Sequence, residues 1–304
     1  MRFRIREAPR LLWNTLYKFF GDGCPTMAAA LSFYTFFSLP ALLSLLLLLV
    51  GTVTDPAQVE RSITTQVGGL IGRAGAEQVG TILAHTRQSY ANQSATAVLG
   101  VVALIFGATT AFAQLQDALN RVWEVKPDPT RNELKTFLAK RIFSFGVVLA
   151  VAFLLLVSLA LSAGLAAFGE LLTARLGAPK ALLQAGNYVV SFVVVAALFA
   201  VMFKLLPDAR IPWRDVRAGA LLTALLFVVG KSVIGYYLGR TDPGSAYGAA
   251  GSLAVVLIWV YYSSMIVLYG AEFTRVWSER FGRGVKPERG AVQVVQEERA
   301  VQRG

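Results

Sequence analysis

Long blocks that are apolar on every side alternate along the chain with short polar stretches, and six of the blocks are long enough to cross a membrane. A bilayer core roughly 30 Å thick needs about 20 apolar residues in a helix. Residues 27–50, 96–115, 142–167, 185–206, 218–238 and 247–271 meet that length. A helix that is apolar all round suits lipid or a bundle of similar helices better than the surface of a soluble domain. The pattern predicts an all-α, polytopic membrane bundle of six transmembrane helices over residues 27–272. Pro40 lies inside the first block, where it predicts a kink of the kind membrane helices tolerate.

Polar periodicity organises the flanks. Arg6, Arg10, Asn14 and Lys18 recur every four residues, with Leu12, Leu16, Phe19 and Phe20 on another face. Residues 1–26 thus read as a cytoplasmic segment with an amphipathic helix lying on the membrane surface. Between the first two blocks, Val59, Ile63, Val67 and Leu70 share a helix face, which predicts short surface helices in the long loop 52–95. Residues 273–304 are basic and, beyond Phe281, lack apolar periodicity, which predicts a disordered cytoplasmic tail.

Charge sets the orientation. The chain carries a formal net charge of +11, which in a soluble protein would suggest nucleic acid. Here 21 of the 29 Lys and Arg fall on one side of the predicted spans and 6 on the other. That bias places both termini in the cytoplasm and accounts for most of the charge without a nucleic-acid partner. The two left over, Lys204 and Lys231, lie within spans.

The first block is longer than the apolar core of a cleaved signal peptide and begins 26 residues in, so it reads as a retained span. One cysteine, Cys24, and one histidine, His85, exclude an intrachain disulfide and a Cys/His metal site. Phosphate-loop, HExxH and GxSxG patterns are all absent from the sequence. No catalytic residue, metal ligand or cofactor site is predicted, and no enzymatic activity.

Three sets of residues remain as candidates. Gly100, Ala103, Gly107, Thr110, Gln114, Asp117 and Arg121 form one face of the second span, small at one end and polar at the other. This is either a packing seam or, at Gln114, Asp117 and Arg121, the lining of a cytoplasmic vestibule. Lys204 and Glu272 lie at a similar depth on the fourth and sixth spans. The expectation is at least one buried opposite-charge pair among Asp117, Arg121, Lys204 and Glu272. Ser32 on the first span, Tyr262 and Ser263 on the sixth and Lys231 on the fifth are candidate contacts to a polar substrate. For the side chains of the first and sixth spans the alternative is close packing, and for Lys231 it is snorkelling to the interface.

The chain also resembles the YihY/BrkB family of bacterial inner-membrane proteins, some of which once carried the label ribonuclease BN. The resemblance rests on residues 28–34 (AAALSFY) with Ser38 and Pro40, 118–123 (ALNRVW), 204–208 (KLLPD) with Trp213, and 218–220 (AGA). It continues through Tyr247-Gly248, 251–253 (GSL) with Trp259, and 270–272 (GAE). It implies a six-helix cytoplasmic-membrane protein and supplies no catalytic residues. The sequence departs from it at Gly23-Cys24-Pro25, where an uninterrupted helix is expected. The residues point first to a transporter or translocase of an anionic, amphipathic envelope component, such as an anionic lipid or a lipid-linked glycan. A non-catalytic assembly factor is the alternative and a ribonuclease the least supported class. Membrane lipids are the expected partners, and a homo-oligomer remains open.

Overall fold

The structure, a computed structural model, describes residues 7–50, 97–130, 180–241 and 251–294, with residues 61, 64, 65, 76, 79–81 and 146 singly or in short runs between them. The predicted third span, the loop 52–95 for the most part, Gly244, Tyr247, Gly248 and residues 295–304 lie outside the described residues.

The described chain is mostly helical. In order it runs α1 (Ala8–Gly21), α2 (Cys24–Val50), α3 (Ala97–Val122), β1 (Val125–Pro127), α4 (Lys180–Leu205), β2 (Ala209–Arg210), α5 (Trp213–Thr241), α6 (Gly251–Phe281), β3 (Lys286–Pro287) and β4 (Ala291–Gln293). Three helices among the described residues are long and apolar enough to cross a membrane, over Cys24–Leu43, Trp213–Tyr237 and Leu253–Phe281. The first two leave large apolar side chains on their outward faces, among them Phe37, Leu221 and Val233, which lipid tolerates and water does not.

α6 is the hub. It packs on α1, α2, α3 and α5, while α2 also packs on α3 and α5 on α4. The crossings rest on missing side chains. A Cβ on Gly219 of α5 would overlap Thr274 Oγ1 of α6, and one on Gly270 of α6 would overlap Thr223 Oγ1 of α5. Each threonine turns its hydroxyl back to its own helix, Thr223 to Gly219 O at 2.7 Å and Thr274 to Gly270 O at 2.8 Å. Glycine on one helix opposite threonine on the other, twice and reciprocally, brings the backbones close. Gly107 of α3 meets Ala41 of α2 in the same way, since a Cβ on Gly107 would stand 2.7 Å from the Ala41 Cβ.

The Gly23-Cys24-Pro25 departure has a backbone reason. Gly23 sits at φ +68°, a left-handed conformation that favours glycine, and there α1 stops. Cys24 and Pro25 open α2, where a proline costs no hydrogen bond. α2 then continues through Pro40.

Two sequence expectations change. Helix α6 runs ten residues beyond the predicted end of the sixth span, to Phe281. The segment expected to be a disordered tail then forms two strands. β3 pairs antiparallel with β2, and β4 with β1. Strands as short as Lys-Pro and Ala-Val-Gln cannot show apolar alternation, so only their backbone partners reveal them.

Candidate functional site

One end of the bundle gathers the polar side chains. α2 and α5 begin there, and α3, α4 and α6 end there. Helix α1 lies across the end of α6 with Leu11, Thr15 and Phe19 buried. Its other side leaves Leu12, Trp13, Tyr17 and Phe20 exposed, Tyr17 to 78%.

Arg275 is the centre of this end. It is 6% exposed and its guanidinium binds four acceptors. Nη1 donates to Asp22 Oδ2 at the α1–α2 junction at 3.0 Å and to Val122 O, the last carbonyl of α3, at 2.8 Å. Nη2 donates to Glu124 Oε1, and Nε to Glu279 Oε1 at 3.0 Å. Lys18 of α1 closes the network on Glu279 Oε2 at 2.8 Å. A planar fork of donors can hold several acceptors at once, which an ammonium does less well. Glu124 is held in a left-handed conformation, φ +53°, uncommon for a residue with a side chain. Arg275 fixes its side chain, and its carbonyl accepts Val294 N–H at 2.7 Å.

Beside Arg275, Glu272 is fully buried. Its Oε1 accepts the Cys24 thiol at 3.7 Å, and its Oε2 has no hydrogen-bond partner.

A second cluster surrounds Asp208, after α4. Asn120 Nδ2 donates to Asp208 Oδ2 and Asn120 Oδ1 accepts Asp208 N–H, both at 2.8 Å. Gln116 Nε2 reaches Asp208 Oδ1 at 3.3 Å. Trp123 Nε1 donates to Ala271 O at 3.3 Å. Glu288 N–H, between β3 and β4, donates to Asp208 O at 3.0 Å and ties the C-terminal strap onto the cluster. A third contact, Ser278 Oγ to Asp215 Oδ2 at 2.7 Å, joins α6 to the start of α5. Among the described residues no three His, Cys, Asp or Glu side chains converge as a metal ion would require.

The predicted site residues are placed differently from one another. Glu272 is buried as expected of a buried pair, yet no ion pair joins any two of Asp117, Arg121, Lys204 and Glu272. Asp117 and Arg121 are exposed and Gln114 half-buried. Lys204 spends its ammonium on Ile211 O at 2.6 Å and lies over the Trp213 ring. The expected buried pair therefore belongs to Arg275, a residue the sequence pattern did not single out. On α3 the buried polar face is Gln116 and Asn120, one position round the helix from the stripe that ends in Asp117 and Arg121. Asn120, Trp123 and Asp208 all fall within the motifs quoted for the family resemblance, the signal by which they could be found.

Among the candidate substrate contacts, Ser32 Oγ donates to Leu257 O of α6 at 2.8 Å, a helix-to-helix bond. Tyr262 packs its hydroxyl against Gly230, 2.7 Å from where a Cβ there would stand. Ser263 is half-buried and Lys231 exposed.

The model of the family described as virulence factor BrkB matches residues 15–293. A protein of Alkalilimnicola ehrlichii named UPF0761 membrane protein is 30% identical over 264 residues, 85% of this chain and 56% of that protein. One of the same name from Pseudomonas aeruginosa is 28% identical over 294 residues, 92% of this chain and 67% of its own. Another, from Tolumonas auensis, is 34% identical over 205 residues, 64% of each chain. The chain thus spans between 56% and 67% of the length of these relatives. No solved structure matches it.

Proposed function

The chain belongs to the BrkB family of membrane proteins, and from that premise we propose that it is a transporter or translocase of an anionic, amphipathic envelope component and not an enzyme. In this reading six crossings place both termini in the cytoplasm of a bacterial inner membrane. The ends of α3, α4 and α6 and the starts of α2 and α5 share one end of the bundle, the parity six crossings would give. The exposed Trp13, Tyr17 and Phe20 of α1 suit the headgroup region, where aromatic residues gather. Reporter fusions at Asp128 and Asp208 should then score as cytoplasmic, and fusions at Gln93, Leu176 and Arg240 as external. An external C-terminus would overturn the orientation.

The observation that carries the reading is the Arg275 node. It closes one end of the bundle with charged bonds to Asp22 at the α1–α2 junction and to Glu124 after α3, where an inert scaffold would need only apolar packing. Ionic contacts can be exchanged without unfolding helices, which suits a gate. Lys231, exposed in the half of α5 away from that end, is the cation that would meet an anionic head group. In liposomes, the wild-type protein should speed movement of a fluorescent anionic lipid between leaflets. Lys231→Ala and Lys231→Glu should both lose that activity while still folding. Wild-type protein that moves no anionic lipid or lipid-linked glycan would favour the assembly-factor reading. The reciprocal Gly–Thr crossing of α5 and α6 supports that alternative, since it resists sliding.

A further inference from the structure

Two buried polar atoms among the described residues have no hydrogen-bond partner, Gln116 Oε1 and Glu272 Oε2. Gln116 is a neutral amide whose other end binds Asp208. Glu272 is ionisable, and an ionised carboxylate accepts about four hydrogen bonds. Its one donor is the Cys24 thiol, a weak one, at 3.7 Å. The cation three residues on, Arg275, directs its hydrogen bonds to Asp22, Val122 O, Glu124 and Glu279. The charged and titratable groups facing Glu272 are Cys24 of α2, Asp22 at the α1–α2 junction, Lys18 of α1 and Arg275 of α6 itself. Asp22 lies within hydrogen-bonding reach and, as a carboxylate, adds like charge. A bare carboxylate buried in this place is costly. A proton on Oε2 removes the cost, because the oxygen then becomes a donor with Asp22 as its acceptor.

We propose that Glu272 is a proton-binding site at the closed end of the bundle, and that losing its proton draws Arg275 away from Asp22 and Glu124. The proton passes from Glu272 Oε2 to an Asp22 carboxylate oxygen. Asp22, 35% exposed at its side chain, passes it on to water. What remains is a buried carboxylate three residues before Arg275, at a spacing that puts both on one face of α6. Its attraction competes with the two Arg275 bonds that tie α6 to the α1–α2 junction and to the residues after α3. Proton loss therefore loosens those junctions together, and proton binding restores them. The site stands whether or not the bundle transports anything, because its test reads the carboxyl group directly.

The experiment is infrared difference spectroscopy of the full-length protein in lipid nanodiscs across a pH series. The wild type should show a protonated-carboxyl C=O band that disappears as pH rises, and Glu272→Gln should lack it at every pH. The absence of such a band from the wild type, or its persistence unchanged in Glu272→Gln, overturns the proposal. Should Glu272→Gln fail to fold, exchange of the wild-type band from water into deuterium oxide is compared with Asp22→Asn. That variant keeps Glu272 and should slow the exchange severalfold, and equal rates would overturn the relay.

Discussion

Replacing Arg275 with methionine tests the reasoning about the closed end most directly. The substitution keeps much of the aliphatic stem and removes all four hydrogen bonds. Their worth differs. Asp22, Glu124 and Glu279 are between 35% and 45% exposed at their side chains. Water can replace part of what they lose, so each contributes about 0–1 kcal/mol, as exposed pairs do. Val122 O, the last carbonyl of α3, sits among buried residues, and leaving such a group without a donor costs about 1–3 kcal/mol. The total, about 1–6 kcal/mol, brackets the roughly 3–5 kcal/mol that removing one partner of a buried ion pair usually costs. Reversible unfolding in mixed micelles measures it, with Arg283→Met on the exposed segment after α6 as the control. A double-mutant cycle with Asp22→Ala should give a coupling near 1 kcal/mol. Equal stability of Arg275→Met and Arg283→Met would refute the claim that this arginine holds the helix ends together.

The remaining predictions contrast residues that look alike in sequence. Gly270→Ala should destabilise by about 1–3 kcal/mol because its Cβ meets the stiff Thr223 side chain. Gly235→Ala, with open space around it, should stabilise by about 0.5–1 kcal/mol through helix propensity. Unfolding of the two variants side by side checks the opposite signs. Asn120→Ala strips Asp208 of an amide donor and leaves its N–H without an acceptor, at about 1–3 kcal/mol for each group. Arg121→Ala, exposed one residue later, should stay within about 0.5 kcal/mol on the same assay. Ending the chain at Gly284 removes β3 and β4, and limited proteolysis should then cut near residues 206–212 and 125–130, which the intact chain protects.

That this is a bundle of apolar helices is legible along the chain alone, because lipid-length apolar blocks are a property of composition in one dimension. Its motifs were also enough to recognise the family, since short runs such as ALNRVW and KLLPD carry identity without any geometry. Which polar face turns inward was beyond it. On α3 the stripe ending in Asp117 and Arg121 and the stripe through Gln116 and Asn120 differ by one helical position. Both are polar, and only the arrival of Asp208 from the end of α4 selects the second. Arg275 stayed hidden because it lies just past the apolar block, where a basic residue is ordinary. Its importance comes from acceptors far away in sequence, Asp22, Val122 and Glu124, that packing assembles. Strands β3 and β4 are the same case, since two or three residues fold as strands only because β2 and β1 offer unpaired backbone beside them. Burial in lipid is decided residue by residue along the chain, whereas hydrogen bonds and ion pairs need a second partner, and tertiary structure alone supplies it.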